Sequence, residues 1–290
     1  MATTPLITLN NGISIPQLGL GVYRSTVDQT VRVVSSAIAK GYRLIDTAAA
    51  YGNEEQVGEG IRQSGIDRSE LFITTKLFLA DYGYDAALKA FDVSIQKLGL
   101  DYLDLYLLHW PVPRQFDETL ASWRALEKLH KEGRIKSIGV CNFNPDHLNN
   151  LIEQSDVIPV VNQVELHPYF SQENVRAANA KHNILTQAWS PIGGVKRYWA
   201  TDPEAVHDPL RDPVITSIAA KYGKSAAQVI LRWHIETGNI VIPKSVTPAR
   251  IKENFDIFDF HLNGTDHDAI TKLDKADGRI GPNPSTFSAG

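Results

Sequence analysis

One cysteine and one methionine occur among the 290 residues. With Cys141 as the only thiol, no disulfide can form within the chain, and such sparing use of cysteine fits a reducing compartment. No stretch approaches the ~20 consecutive apolar residues that a membrane helix needs. Met1 to Asn11 lacks the basic start and long apolar run of a secretory signal. These absences describe a soluble, cytoplasmic protein with no membrane partner. Positive charge is not in excess either: 29 Lys and Arg stand against 33 Asp and Glu, a formal net charge of −4. That balance argues against nucleic acid as a partner, although a local basic pocket for a phosphate remains compatible with it. Nine histidines occur, yet H-E-x-x-H and close His/Cys clusters are missing, so no metal site is expected. The absence of G-x-S-x-G speaks against a serine hydrolase.

What is present is apolar bulk in a repeating order. Hydrophobic residues make up 43% of the chain, enough for a large core. Leu6 to Leu9 and Ile13 to Ile15, around Asn10-Asn11-Gly12, read as a hairpin. Short apolar runs then alternate with helical spacing. The runs are Leu18–Leu20, Arg43–Asp46, Leu71–Lys76, Leu103–His109, Ile135–Val140, Val160–Gln163, Ile184–Ser190 and Asn239–Pro243. Helical periodicity is clearest at Leu88, Phe91, Ile95 and Leu98, and at Leu120, Trp123, Leu126 and Leu129. Eight strands alternating with helices predict an α/β fold, a closed (β/α)8 TIM barrel spanning residues 1–290 as one domain. The competing open sheet would announce a dinucleotide with G-x-G-x-x-G, and Gly19-Leu20-Gly21-Val22-Tyr23-Arg24 stops short of it. The one long irregular piece, Pro191 to Pro213 after strand seven, has the length of a loop that covers a site.

Barrel chemistry gathers at the C-terminal strand ends. Those ends carry Asp46, Lys76, His109, Cys141-Asn142, Gln163, Trp189-Ser190 and Lys244-Ser245, a set too polar for core packing. Asp46, Lys76 and His109 close neighbouring strands, and Tyr51 follows Asp46 in a loop before Asn53, a candidate helix cap with Gln56 completing a box. A phenol ionises only near pH 10. A lysine beside Tyr51 would lower that value, a carboxylate beside the lysine would keep it charged, and a histidine would add a donor for a carbonyl oxygen. For Tyr51 to act near neutrality its pKa is expected to fall by roughly 2–3 units. Four side chains of this kind can protonate an alkoxide as it forms.

The motifs carrying these residues are Gly41-Tyr42-Arg43-Leu44-Ile45-Asp46-Thr47-Ala48, Tyr51-Gly52-Asn53-Glu54, Thr75-Lys76-Leu77, Leu108-His109-Trp110-Pro111, Ile138 to Phe143, Asn162 to Pro168 and Ile242-Pro243-Lys244-Ser245. In this order and spacing the chain resembles an aldo-keto reductase from its first hairpin to its last helix. It is most similar to the bacterial 2,5-diketo-D-gluconate reductase-like members, with Trp189 where many mammalian members have tyrosine. The resemblance implies an NADPH-dependent, monomeric carbonyl reductase. Tyr51 is then the general acid, Lys76 and Asp46 tune it, and His109 orients the substrate carbonyl. Asn142 and Gln163 would hold the nicotinamide carboxamide, and Trp189 would stack on its ring. Lys244, Ser245 and Arg250 would take the 2′-phosphate, and Glu253 and Asn254 the adenine. Gly21, Val22, Tyr23, Asp46, Cys141, Ser190, Pro191, Ile242 and Val246 complete the implied cofactor contacts. Cys141 stands where serine is usual, and a thiol is the weaker donor.

Tyr23, Tyr51, Phe78, His109 and Trp110 are the implied substrate contacts, with Val22, Tyr82, Tyr84, Tyr198 and Trp199 around them. Such an aromatic wall suits a small carbonyl. It does not separate a keto-sugar acid from an α-dicarbonyl or an aromatic aldehyde. A different class, a cofactor-binding regulatory module with negligible turnover, exists within the same superfamily; the complete tetrad favours the enzyme.

Overall fold

The computed structural model describes residues 4–194 and 208–288. Tyr198, Trp199 and most of the long segment after strand seven lie outside the described residues.

The hairpin is present as β1 (Leu6–Thr8) and β2 (Ser14–Pro16), paired antiparallel. Eight parallel strands follow: β3 (Gly19–Gly21), β4 (Leu44–Asp46), β5 (Phe72–Leu77), β6 (Leu105–Leu108), β7 (Ile138–Cys141), β8 (Val161–Glu165), β9 (Leu185–Trp189) and β10 (Ile240–Val241). Each pairs with its neighbour in chain order. The ends of this sheet meet: Leu18 bridges Val241, Gly21 bridges Lys244, and the Gly21 N–H donates to the Pro243 carbonyl at 3.2 Å. The expected (β/α)8 barrel is the observed fold. Gly21 is required at this seam, because a Cβ there would lie 2.7 Å from the Ile242 carbonyl oxygen.

Among the described residues the helices are α1 (Val27–Ala39), α2 (Glu54–Ser64), α3 (Tyr84–Leu98), α4 (Phe116–Lys131), α5 (Pro145–Glu153), α6 (Glu173–Lys181), α7 (Pro213–Tyr222), α8 (Ala226–Glu236), α9 (Pro248–Phe255) and α10 (Gly264–Thr271). The irregular piece expected over Pro191–Pro213 ends where α7 begins, and α7 and α8 fill the interval from there to β10, for which the sequence pattern gives no element. Asp212 caps α7 through the Val214 N–H at 2.8 Å, and Ser225 forms a capping box with Gln228 at the start of α8.

Strands buried on both faces explain the continuous apolar runs. Outward residues such as Ile45, Ile73, Tyr106, Leu108, Val140 and Ala188 join the helices in the main core. Inward residues form a second cluster, in which Leu44, Phe72, Leu105, Leu107 and Val161 pack on Leu9 and Ile15 from the hairpin region. The hairpin thus plugs the N-terminal end of the barrel. Two residues further along β4, β5, β8 and β9, on the same inward face, the apolar layer gives way to Asp46, Thr74, Gln163 and Gln187, all buried. That change of layer sets the floor of the site.

Observed strands are shorter than the apolar runs suggest. Leu103 and Ile135 meet only as an isolated bridge before β6 and β7 begin, and β7 extends to include Cys141. His109 sits just past β6, held by its N–H to the Leu77 carbonyl at 3.1 Å.

Candidate active site

Lys76 lies near the end of β5 with no exposed side-chain surface. Its ammonium donates to Asp46 Oδ1 at 2.6 Å, to the Thr47 carbonyl at 2.9 Å and to the Tyr51 hydroxyl at 3.3 Å. All three donor directions are used, which is what makes a buried ammonium tolerable. Burial alone would strip its proton, but the Asp46 carboxylate overrides this and holds Lys76 charged. Burial pushes the Asp46 carboxyl up, while Lys76 and Gln163 pull it back. Asp46 Oδ2 accepts from Gln163 Nε2 at 2.7 Å.

Tyr51 ends a 3-10 turn (Ala49–Tyr51) closed by Gly52 at φ +66°. The loop is tied down by Asn53, and here the expected cap differs from what forms. Asn53 precedes α2, but its side chain caps nothing. Instead its Oδ1 accepts from Thr47 Oγ1 at 2.9 Å and its Nδ2 donates to the Val22 carbonyl at 3.0 Å. Tertiary partners outcompete the local one, and the loop bearing Tyr51 becomes fixed to the turn after β3.

The expected fall in the Tyr51 pKa is corrected by the structure. Burial of the phenol outweighs the pull of Lys76, so the value is raised above the ordinary one. His109 is driven the other way: burial, then Lys76, hold its pKa well below the usual imidazole range. It is therefore neutral, with one N–H to donate. Its buried Nδ1 has no partner among the described residues, and its ring centroid lies 5.9 Å from those of both Tyr51 and Phe78. The Tyr23 ring lies 4.9 Å from that of Tyr51, tilted by 53°, and Trp110 lies over His109. The tetrad and the named aromatics are together.

Other expected residues are placed as follows. Asn142, at φ +65°, accepts from Trp189 Nε1 at 2.8 Å and donates to the His109 carbonyl at 3.1 Å. The Cys141 thiol is directed at Gln163 Oε1, 3.8 Å away, with its pKa pushed up by burial. Ser190 also takes a positive φ, +48°, and the Pro191 carbonyl lies 3.0 Å from His234 Nε2. Across the barrel mouth, Lys244 is half-buried and its pKa is lowered, first by burial and then by Arg24. Two cations therefore act on one another beside α9, whose N-cap Thr247 supplies no side-chain cap. Ser245 Oγ accepts from the Thr247 N–H at 3.2 Å. Arg250 on that helix is exposed, Val246 and Glu253 are partly covered and Asn254 is buried. Ile242 packs in the inner barrel cluster.

Some expected pocket residues are elsewhere. The Val22 side chain belongs to the outer core. Tyr82 stands behind Trp110, its hydroxyl donating to the Trp110 carbonyl at 2.7 Å. Tyr84 opens α3 and is 41% exposed.

Sequence reasoning missed Glu165, Gln187 and the tail. Glu165 is buried; its Oε1 accepts from the Ile280 N–H at 2.6 Å and lies 3.0 Å from His167 Nε2, and its Oε2 accepts from the Gly281 N–H at 2.8 Å. The tail then runs beneath Trp189, where a Cβ on Gly281 would come within 2.4 Å of the indole. It ends with Phe287 stacked on Trp110 at 4.0 Å. Asn162-Gln163-Val164-Glu165 was legible as a motif, but nothing in it points to residues more than a hundred positions away.

A family model described as the aldo/keto reductase family matches residues 17–275. The chain belongs to this family. It is therefore an oxidoreductase of the NADP(H)-dependent, carbonyl-reducing kind. Morphine 6-dehydrogenase of Pseudomonas putida is 55% identical over 282 residues, covering 97% of this chain and 95% of that one. Methylglyoxal reductase DkgA of Escherichia coli (strain K12) is 47% identical over 287 residues, 99% of each. Among solved structures, a variant of Gox0644 in complex with NADPH superposes with a TM-score of 0.91 at 43% identity, covering 99% of this chain and all (100%) of that one.

Proposed function

We propose that the chain reduces small aldehydes and ketones, including α-dicarbonyls or keto-sugar acids, with Tyr51 as general acid. The observation carrying this reading is the sealed contact of Lys76 with Asp46, Thr47 and Tyr51, beside a neutral His109. The residues fit a nicotinamide dinucleotide. Among the described residues Gln163 Oε1 has only a distant thiol as donor, the Trp189 indole is held by Asn142, and Lys244 lies within reach of Arg24's field beside the N-terminus of α9. Helix N-termini and paired cations favour a phosphate. Lys244, Ser245 and Arg250 would hold it, Glu253 and Asn254 the adenine, and Asn142, Gln163 and Trp189 the nicotinamide.

Reduced nicotinamide, when bound, supplies the hydride that goes to the carbonyl carbon. The chain supplies the rest. Tyr51 and His109 donate hydrogen bonds to the carbonyl oxygen, and these strengthen as negative charge builds there. The proton then moves from the Tyr51 hydroxyl to that oxygen, with the charge left on the phenolate held by Lys76. A raised phenol pKa suits this direction. Tyr51 stays protonated at neutral pH, and an alkoxide, about as basic as hydroxide (water pKa about 15.7), still takes its proton.

Steady-state NADPH oxidation with a panel of α-dicarbonyls, aldehydes and keto-sugar acids tests this function. Turnover with several members, and much weaker turnover with NADH, is expected. A tight NADPH complex without turnover across the panel would instead show the regulatory module.

A further inference from the structure

Gln187 lies on β9 inside the barrel with no exposed surface. Its Oε1 accepts from Gln163 Nε2 at 2.9 Å, while its own Nε2 is buried without a partner among the described residues. A core position with no task would avoid that orphaned donor, since an apolar residue of the same shape incurs no such penalty. The second hydrogen of Gln163 Nε2 goes to Asp46 Oδ2 at 2.7 Å. An amide has no intrinsic preference for which end faces which neighbour; its partners decide. Asp46, holding Lys76, is an ionised carboxylate that can only accept, and so demands the nitrogen end of Gln163. The Gln187 oxygen takes the remaining N–H. Both donors are then consumed, and the one acceptor of Gln163 is left facing the Cys141 side of the site, where only a thiol 3.8 Å away addresses it.

We propose that Gln187 is a positioning residue that locks the Gln163 amide with its oxygen toward the bound nicotinamide carboxamide, joining β9 to the chain Gln163–Asp46–Lys76–Tyr51. The inference rests on the reading above that Gln163 contacts the carboxamide. Without the Gln187 acceptor, one Gln163 N–H must find another partner, and the amide is free to rotate away from the nicotinamide. Gln187→Met keeps the volume and removes the acceptor. Gln187→Glu keeps an oxygen for Gln163 in either protonation state.

The test compares two ligands by titration of intrinsic fluorescence, NADP+ and 2′-phospho-ADP-ribose, which lacks the nicotinamide. Gln187→Met should weaken NADP+ about tenfold, the worth of one well-placed hydrogen bond, and leave 2′-phospho-ADP-ribose unchanged. Its Tm should hold or rise, and Gln187→Glu should restore most of the NADP+ affinity. Gln163→Leu should show the same selective loss, and the double variant should lose no more than Gln163→Leu alone. Selective loss in Gln163→Leu but none in Gln187→Met overturns this inference and leaves the functional reading standing. Equal weakening of both ligands by Gln187→Met also overturns it, as a general packing defect. No selective loss in Gln163→Leu overturns the carboxamide contact itself.

Discussion

Replacing Lys76 with methionine isolates the energetics of the site. The Lys76 and Asp46 side chains are 0% and 2% exposed and 2.6 Å apart. Methionine fills the space of the lysine stem but leaves Asp46 inside the barrel with Gln163 as its only side-chain partner. Removing one member of a buried ion pair typically costs about 3–5 kcal/mol, mainly as the penalty of the stranded charge. With an unfolding entropy of about 2.1 cal/mol/K per residue, each kcal/mol moves the Tm of a chain this long by about 1.6 °C, so Tm should drop by roughly 5–8 °C. Adding Asp46→Asn removes that charge, so the double variant should recover more than half of the loss. The resulting coupling should be at least about 2 kcal/mol. Urea unfolding followed by tryptophan fluorescence measures all four corners of the cycle. Neither Lys76 variant should turn over a carbonyl at more than a small fraction of the wild-type rate. A Lys76→Met cost below about 1 kcal/mol, the range of an exposed pair, or two strictly additive losses, would refute the sealed pair.

Stability should fall on acidification. His234 is buried, and burial holds its pKa down to about 3; His109 is also depressed. Unfolded chains protonate such groups below about pH 6.5, so the unfolded state binds more protons and His234 alone removes about 2 kcal/mol by pH 5. Denaturation of His234→Gln across that window should show a shallower slope than wild type. In the reverse reaction Tyr51 must be ionised to take a proton, and its raised pKa predicts alcohol oxidation that climbs steadily above neutrality while carbonyl reduction stays flat from about pH 6 to 8; parallel profiles would contradict the assignment. Gly281→Ala should push the Trp189 indole, raising KM for NADPH several-fold with a stability loss of about 1–3 kcal/mol. An unchanged KM would place the tail outside the working site.

The barrel and the tetrad were legible because both follow from local rules. Apolar runs ending in a titratable residue mark strands whose tips reach a site, and Asp46, Lys76 and His109 each close such a run. The two-residue period also explains why Gln163 joins them. What stayed hidden depends on distance or on dielectric. Asn53 has the sequence of a helix cap, and only the fold brings the Val22 carbonyl and Thr47 near enough to take its side chain. Gln187 reads as strand filler until β8 stands beside it. The Ile280 to Phe287 segment has no periodicity, and its anchoring on Glu165 is purely tertiary. The sign of the Tyr51 shift is set by the depth of burial, whereas residue types reveal only the neighbouring cation. The capping signals at Asp212-Pro213 and Ser225 were present, overshadowed by the irregular stretch before them.

The central claim is that Tyr51 delivers the proton. Single-turnover reduction by Tyr51→Phe, with NADPH affinity and Tm measured beside it, tests this most directly. Wild-type cofactor binding, a similar Tm and a rate lower by at least about two to three orders of magnitude are expected, in keeping with the loss of a general acid. A variant that retained most of its kcat would contradict it.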